Sequence, residues 1–458
     1  MEEQIKKVAE TPAVMLDNSI KQSERFMKNK YIKHATTYWE TLGPGLTTGA
    51  SDDDPSGIAT YSQTGAQYGV QLLWLAGFTF PLMAVVQEMC ARIGLITGYG
   101  LAASIRKHYS RPVLYTCTIL LFAANTFNLG ADLGAMATAT QLLLPQMSFF
   151  VLLIIFTVAS LLLQTFTTYT QYAKYLKFLV FVLFAYILSA FSIKTLDWGN
   201  IIKHAVIPSL TFSRDQIILV CGILGTTISP YLFFWQTSQE VEDHLSLKGA
   251  EHIHEHHQGI HDEKTLKKEI KNMRGDVWLG MFISNLVMFF IIVATAATLF
   301  THGITNIATA SDAAKALRPI AGNQAYLLFA IGIIGAGLLA VPVLAGSASY
   351  AISESLRWKS GLYRKLHDAP AFYGIIIISM LIGFAINFLG IDPIKALIYS
   401  AVLNGLIAPL ILFLIVRMSS NKKIMGDHTN HPFISLLGWL ITSIMAIAGV
   451  ATIISLFI

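Results

Sequence analysis

The chain has few charged residues and few cysteines for its length. Of its 458 residues, 13% are charged and 54% are hydrophobic, whereas about 25% of the residues of a soluble domain are charged. The cysteines, Cys90, Cys117 and Cys221, lie in apolar segments at no metal-binding spacing, which excludes a disulfide framework and a cysteine metal site. The sequence also lacks a nucleotide loop, a metalloprotease motif and a nucleophile–base pair. These absences predict a membrane protein that is not an enzyme and holds no cofactor.

Apolar runs recur along the whole chain, and eleven of them reach the length of about 20 residues that crosses a hydrocarbon core of about 30 Å. The runs cover residues 42–68, 72–97, 112–142, 148–164, 172–193, 215–241, 275–300, 322–352, 371–389, 393–416 and 433–457. They are too long and too continuous for the alternating strands of about ten residues that build an outer-membrane barrel. The pattern therefore predicts an all-α integral membrane protein with eleven transmembrane helices.

The positive charges predict the orientation in the membrane. Residues 1–40 form a polar tail with seven Lys and Arg residues and without the apolar core of a signal peptide. Most other Lys and Arg residues fall in loops on the same side as this tail, which is the cytoplasmic side by the positive-inside rule. We therefore expect a cytoplasmic N-terminus and an extracellular C-terminus. The net charge of +5 indicates contact with anionic lipid and no nucleic acid, and the sequence indicates no obligate protein partner.

Two prolines interrupt apolar segments at corresponding places, Pro55 in the first run and Pro230 in the sixth. A broken helix persists in a bilayer only where it is buried in protein or lines a cavity, since its freed backbone groups need partners. Matched breaks indicate a substrate site near the middle of the membrane. The first break carries Asp52, Asp53 and Asp54, and acidic residues at membrane depth usually belong to ion pathways.

The runs divide into two sets of five that must enter the membrane from opposite sides, because five is odd. We therefore predict an inverted repeat of residues 41–193 and 214–417 within a transporter core of residues 41–417, followed by a cytoplasmic loop and an eleventh span in residues 418–458. A cytoplasmic loop at 244–271 holds six of the thirteen histidines between His244 and His261. This loop is either a solvated connection or a weak metal-capture segment.

The first break offers hard oxygen ligands. A carboxylate beside unwound carbonyls suits Mg²⁺, Ca²⁺ or Mn²⁺, and Asp54, directly before Pro55, is the strongest candidate. The alternative is that Asp54 caps the half-helix that starts at Pro55, where aspartate is favoured and proline tolerated. Asp52 and Asp53 point about 100° apart on a helix, so one or both would line an aqueous vestibule.

The second break offers further oxygen and no soft ligand. Thr226 and Ser229 contribute hydroxyls and carbonyls, and Tyr231 and Gln236 lie just beyond. Without a thioether, thiol or imidazole, the set favours a hard cation that keeps part of its water shell. Elsewhere, Glu88 and Arg92 have the i, i+4 spacing of a helical ion pair.

The residues at these breaks resemble a known family, the NRAMP divalent-metal transporters. The resemblance is carried by Gly43-Pro44-Gly45, Asp54-Pro55, the segment from Gln87 to Gly98, Ala131-Asp132-Leu133 and Pro230. It implies the LeuT-type fold, in which the two repeats each begin with a broken helix, and transport of a divalent metal into the cytosol.

The chain departs from the family pattern at the site itself. The family motif Asp-Pro-Gly-Asn stands here as Asp54-Pro55-Ser56-Gly57, so the asparagine ligand is lost. The methionine and histidine that flank the second proline are Ser229 and Tyr231. The resemblance implies that the methionine favours Mn²⁺ and Fe²⁺ and that the histidine handles protons.

Further departures affect the family's proton pathway. Asp132 is retained, but the glutamate three residues later is Ala135, and the arginines of the ninth span have no counterpart between Phe372 and Leu389. The glutamine expected from the tenth span is Ala401, beside a serine, which would leave a roomier cavity. Asp132 is then a residual proton acceptor, an outer-shell acid or a structural residue. The whole pattern resembles the NRAMP-related magnesium transporter branch.

Residues and resemblance together predict uptake of Mg²⁺, and also Mn²⁺, by alternating access without proton coupling. The predicted metal ligands are Asp54, Gly57, Thr226 and Ser229, and the predicted outer-shell or vestibule residues are Asp53, Tyr231, Asp132 and Gln236. Two alternatives remain: a proton-coupled Mn²⁺/Fe²⁺ importer of the ordinary family type, and a membrane metal sensor that does not transport.

Overall fold

The structure, a computed structural model, describes residues 43–166, 184–194, 196–248, 263–307, 309–318 and 322–457. The predicted tail of residues 1–40, most of the fifth span and half of the histidine-rich loop, residues 249–262, lie outside the described residues.

Within the described residues the chain forms helices and no strands. The α-helices are α1 (Pro44–Asp52), α2 (Pro55–Tyr68), α3 (Trp74–Thr97), α4 (Leu101–His108), α5 (Arg111–Gln141), α6 (Phe149–Phe166), α7 (Phe184–Ser192), α8 (Trp198–Val206), α9 (Arg214–Thr227), α10 (Pro230–Lys248), α11 (Glu263–Thr298), α12 (Ala310–Ala314), α13 (Ala325–Leu356), α14 (Pro370–Ile386), α15 (Pro393–Ser419), α16 (Lys422–Met425) and α17 (Pro432–Ser455).

Eight segments of the described chain are long and apolar enough to cross a membrane, taking α9 and α10 together. The helix α14 is shorter and equally apolar, and α1 and α2 form the two halves of the first predicted span. Ten of the eleven predicted spans thus correspond to helices, and the fifth, at 172–193, falls mostly outside the described part of the chain.

The loop after the sixth span is shorter than the predicted 244–271, because α10 continues to Lys248 and α11 begins at Glu263. Hydropathy detects only the apolar part of these helices. Their polar ends are stabilised by contacts such as the i, i+4 pair in which Lys267 Nζ lies 2.6 Å from Glu263 Oε1.

Both breaks lie where a proline starts a new half-helix. At the first, Asp54 has extended backbone angles and caps α2, whose first residue is Pro55. At the second, α9 ends at Thr227, Ile228 leaves the helical conformation, and Pro230 begins α10. Proline has no N–H and cannot continue the hydrogen-bond ladder from the preceding turn, so both interruptions follow from the local sequence.

Each broken span packs against the second span of the other half. The broken first span, α1 and α2, packs along α11, and α10 of the broken sixth span packs along α3. The first contact is very close, since a Cβ added at Gly49 would lie 2.3 Å from the carbonyl oxygen of Gly280. Exchanging the two halves exchanges these contacts, as expected of an inverted repeat.

The buried carboxylate of Glu88 has a different main partner from the one predicted. Arg274 of α11 donates to Glu88 Oε1 through Nε at 2.9 Å and Nη2 at 2.8 Å, and Trp278 Nε1 donates to Oε2 at 2.9 Å. Arg92 Nη1 lies 3.9 Å away, and its guanidinium donates to Asn430. The predicted ion pair is therefore present only as a weak contact, and Glu88 mainly joins α3 to α11.

Candidate metal site

Asp54 lies at the centre of a hydrogen-bonded network at the first break. Its Oδ1 accepts from the backbone N–H of Gly57 and from Ser56 Oγ, both at 2.7 Å. Its Oδ2 accepts from Asn128 Nδ2 at 2.9 Å, and the residue is only 1% exposed. The capping bond uses Oδ1 alone, and each carboxylate oxygen has two lone pairs. Capping and metal binding by Asp54 are therefore compatible.

Asn128 connects this carboxylate to two further helices. It lies on α5, and its Oδ1 accepts from Ser400 Oγ of α15 at 2.7 Å. Asn128 is not among the residues predicted from the sequence, where Asp132 is the polar residue of this helix that stands out. The available signal was an amide at membrane depth one helical turn before that aspartate, where side chains share a face.

The two breaks meet at Gly57 and Thr226. A Cβ added at Gly57 would lie 3.3 Å from Thr226 Oγ1 and 3.3 Å from the carbonyl oxygen of Asp52, and Ser56 Oγ lies 3.4 Å from Thr226 Oγ1. Glycine thus permits the close approach of the second break to the first. Of the predicted ligands, Asp54, Gly57 and Thr226 lie together.

Ser229 makes its contacts within its own broken helix. Its Oγ lies 2.8 Å from the carbonyl oxygen of Gly225 and 2.7 Å from that of Thr226, so its proton satisfies carbonyls freed by the break. The lone pairs of the hydroxyl remain available as ligands. The structure places Ser229 at the second break but bonds it to the helix end and not to Asp54.

Tyr231 and Gln236 hold α10 against α1. The Tyr231 hydroxyl donates to the carbonyl oxygen of Ser51 at 2.8 Å, one of the carbonyls freed at the end of α1. Gln236 accepts from Thr48 and donates to Glu240 Oε1 at 2.8 Å. It lies six residues beyond Pro230, which is about 9 Å along a helix at 1.5 Å per residue.

Asp132 is fully buried on α5, and neither of its carboxylate oxygens has a hydrogen-bond partner among the described residues. The residue of α5 that reaches Asp54 is Asn128, one turn earlier, so Asp132 lies near the network without joining it.

Asp52 and Asp53 contact a different helix from Asp54. Ser284 Oγ of α11 lies 2.6 Å from Asp52 Oδ2 and 3.3 Å from Asp53 Oδ1. Both aspartates are buried, at 0% and 1% exposure. The three consecutive acids therefore divide into Asp54, bound to α5, and a pair bound to α11.

The site is closed in this conformation. Asp54, Thr226, Ser229 and Tyr231 each have at most 1% of their surface exposed. Near Ala401, where the sequence suggested a roomier cavity, α15 crosses α9 closely, and a Cβ added at Gly225 would lie 2.1 Å from the Ala401 carbonyl oxygen. An ion must therefore enter through a conformational change.

The sequence matches the Nramp family, described as natural resistance-associated macrophage protein-like, over residues 45–455. It is 28% identical over 410 residues to the divalent metal cation transporter MntH of Klebsiella pneumoniae (strain 342), covering 88% of this chain and 91% of that protein.

Solved structures show the same fold. A crystal structure of the Eremococcus coleocola manganese transporter, bound to an aromatic bis-isothiourea compound, superposes with a TM-score of 0.70 at 19% identity and covers 91% of this chain and 88% of that one. MhsT in complex with L-phenylalanine gives a TM-score of 0.56 at 12% identity, covering 91% and 98%.

The chain belongs to the Nramp family and is a multi-pass membrane protein with the LeuT-type fold. It is a divalent metal cation transporter of the Nramp type and not an enzyme.

Proposed function

We propose that the protein carries Mg²⁺, and also Mn²⁺, into the cytosol by alternating access and without coupled proton movement. The metal ligands in this proposal are Asp54, Gly57, Thr226 and Ser229. Gly57 contributes its backbone carbonyl oxygen. The observation that carries the proposal is the chemistry of the groups where the breaks meet: a carboxylate, hydroxyls and backbone oxygens surround this point.

This donor set favours a hard cation. Oxygen ligands suit Mg²⁺ and Mn²⁺, whereas sulfur and imidazole favour softer transition metals. The position of the family's methionine is Ser229, whose hydroxyl lies 2.7 Å from the Thr226 carbonyl oxygen. The position of its histidine is Tyr231, which bonds Ser51. Both changes replace a soft or titrating group by a hydroxyl.

The helix α14, which packs against α5, supports transport without protons. The neighbouring helix α14 has no Asp, Glu, Lys, Arg or His between Pro370 and Ile386. It crosses α5 tightly, since a Cβ added at Gly130 would lie 2.6 Å from the carbonyl oxygen of Gly383, and Asn387 donates to the Gly130 carbonyl oxygen at 2.9 Å. Asp132 is two residues beyond Gly130 and points about 200° away from it on α5, so this contact does not involve the acid. The helix α14 thus offers no titrating side chain to relay a proton, at the positions where the resemblance implies arginines.

The membrane potential can drive such uptake. Moving one charge through 100 mV is worth about 2.3 kcal/mol, so a divalent ion gains about 4.6 kcal/mol. Because the cytosol is negative, the membrane potential favours movement of the ion into the cytosol. The positive charges predict that the N-terminus is cytoplasmic and the C-terminus extracellular.

The outer-shell residues have separate roles in this proposal. Tyr231 and Gln236 fasten α10 to α1 and must exchange partners when either half-helix moves. Asp53 and Asp132 add negative charge around the ion. The proposed core of residues 41–417 contains all of these groups.

The test is Mg²⁺ influx into proteoliposomes that contain a pH dye, with the wild type beside Asp54→Asn and Asp54→Ala. We expect influx that the potential accelerates, that leaves the internal pH unchanged and that both variants reduce strongly. A matched control is Ser379→Ala, because Ser379 is buried in α14 and its hydroxyl donates to the Ile376 carbonyl oxygen of the same helix. Influx in both Asp54 variants equal to that of the wild type would refute the proposed site.

The second candidate function is proton-coupled Mn²⁺ import. It is favoured by the buried acid Asp132, which lies near Asp54 without a hydrogen-bond partner in the described chain, and by the similarity to a manganese transporter. Acidification of the liposomes that requires Mn²⁺ and disappears in Asp132→Asn would establish this function in place of the first.

A further inference from the structure

The pair formed by Asp52 and Asp53 is held by one hydroxyl. Ser284 Oγ lies 2.6 Å from Asp52 Oδ2 and 3.3 Å from Asp53 Oδ1, so these two carboxylate oxygens can be no farther apart than the sum of those distances. A hydroxyl has a single proton and can donate fully to only one carboxylate at a time. The pair is therefore short of donors.

Each of these carboxylates also has a second oxygen without a partner. Asp52 Oδ1 and Asp53 Oδ2 are buried and accept no hydrogen bond from any described residue. Unpaired charged oxygens are costly to bury. Ser284 draws one oxygen of each carboxylate to the same place on α11, and the second oxygen of each remains without a donor among the described residues.

If all of them are ionised, the four acids at and near the first break carry more charge than one divalent ion compensates. Asp52, Asp53, Asp54 and Asp132 are all buried, and in the part of the chain that the structure describes no Lys, Arg or His forms an ion pair with any of them. A divalent ion at Asp54 offsets two of these four charges. Two further charges must be balanced by a second cation or by protons.

We infer that Asp52, Asp53 and Ser284 form a second binding site for a divalent cation, beside the Asp54 site. The site presents three side chains with only oxygen donors, the ligands of Mg²⁺, Mn²⁺ and Ca²⁺. Metal–oxygen distances of about 2.0–2.6 Å let one ion bridge oxygens up to about 5 Å apart directly, and a retained water extends that reach. Ser284 then exchanges its hydrogen bonds for a bond from its oxygen to the metal.

The second site is distinct from the first in its supporting helix. Asp54 is bonded by Gly57, Ser56 and Asn128, whereas the pair is bonded by Ser284 of α11. The inference rests on the proposed function for the class of cation, but its stoichiometry can be measured without transport.

The experiment counts ions. Purified full-length protein is dialysed to equilibrium against Mn²⁺ as the probe, and bound Mn²⁺ is measured per chain. Electron paramagnetic resonance of the bound ions is recorded in parallel. We expect two Mn²⁺ per wild-type chain, with spectra broadened by the interaction of two nearby ions. Asp52→Asn, Asp53→Asn and Ser284→Ala each remove the second ion or weaken it at least tenfold, and the remaining signal sharpens.

Two further variants separate the sites. Asp54→Ala keeps one ion if the second site is independent, and Ser379→Ala, a buried serine bonded within α14, keeps two. Ser284→Ala leaves all carboxylates in place, so it tests the site even if a charge-changing variant fails to fold.

Three results would overturn the inference. The first is one Mn²⁺ per wild-type chain that Asp52→Asn leaves unchanged, which would mean that protons balance the charge of the pair. The second is one Mn²⁺ that Asp52→Asn abolishes, which would assign Asp52 to the Asp54 site. The third is no bound Mn²⁺. Failure of the proposed function is a different result, namely unchanged binding and transport in Asp54→Ala.

Discussion

Asp54→Asn, measured beside Asp54→Ala, separates the capping role of Asp54 from its role as a metal ligand. Asparagine and aspartate are about equally good N-caps, and alanine is a poor one. Both variants lose the negative charge, but only alanine also loses the hydrogen bonds. The pair of variants therefore distinguishes structure from ion binding at a single residue.

The alanine variant loses every acceptor at this position. The cap to Gly57 is worth about 1 kcal/mol. The Asn128 amide, which donates to Asp54 Oδ2 at 2.9 Å, is left buried and unpaired at a cost of about 1–3 kcal/mol. We expect the free energy of unfolding to fall by about 2–4 kcal/mol in total.

The asparagine variant can keep most of these bonds. Its Oδ1 still accepts from Gly57 and Ser56, and its new amide faces Asn128. A flip of the Asn128 amide turns its oxygen toward this donor and its nitrogen toward Ser400 Oγ. Ser400 can then donate solely to the Leu397 carbonyl oxygen, at 2.7 Å. We expect a stability within about 1 kcal/mol of the wild type, the scale of one exchanged hydrogen bond.

Stability should distinguish the two variants, but Mg²⁺ affinity should not, because both variants lose the carboxylate. We expect Mg²⁺ affinity to fall about 100-fold in each, which is about 2.7 kcal/mol. The assays are thermal unfolding in detergent and titration calorimetry with Mg²⁺. Wild-type affinity in Asp54→Asn would show that Asp54 is only a cap. Equal destabilisation of the two variants would contradict the hydrogen-bond account.

Three other changes test neighbouring parts of the structure. Ser229→Met introduces a thioether and should raise the preference for Mn²⁺ over Mg²⁺ at least tenfold, as measured by competition in liposome uptake; unchanged preference would contradict the role given to this hydroxyl. Asn128→Ala should weaken Mg²⁺ affinity less than Asp54→Asn, because it removes a donor that orients the carboxylate; calorimetry checks this order. Glu88→Gln should lower the free energy of unfolding by about 1–3 kcal/mol through the loss of charge-assisted bonds from Arg274, with uptake selectivity unchanged, and thermal unfolding beside uptake measures both.

The breaks could be predicted from the sequence because their cause is local. Proline at 55 and 230 removes a backbone donor whatever the surroundings are, and a carboxylate directly before the first proline is a cap by its position alone. The apolar runs likewise predicted the helices, because crossing a bilayer requires a minimum length.

The partners of the acids could not be predicted in this way. Asn128 reaches Asp54 across 74 residues of sequence, and Ser284 reaches Asp52 across 232. Both depend on the rotation of one helix against another, which periodicity does not determine. The same holds for Arg274, which displaced Arg92 as the main partner of Glu88 because the polar start of α11 packs over α3.

The burial of the acids bears on how an uncoupled carrier can alternate. In the closed conformation the carboxylates of Asp52, Asp53 and Asp54 are nearly inaccessible to water, so closure without cations confines uncompensated negative charge at membrane depth. A bound divalent ion stabilises the closed form relative to the open, hydrated forms, and a ligand can shift a conformational equilibrium only through such a difference in affinity. The loaded protein therefore closes more readily than the empty one, and in the proposed mechanism this difference couples occupancy to alternation without a proton. The bonds from Tyr231 to Ser51 and from Gln236 to Thr48 complete that closure by holding α10 on α1.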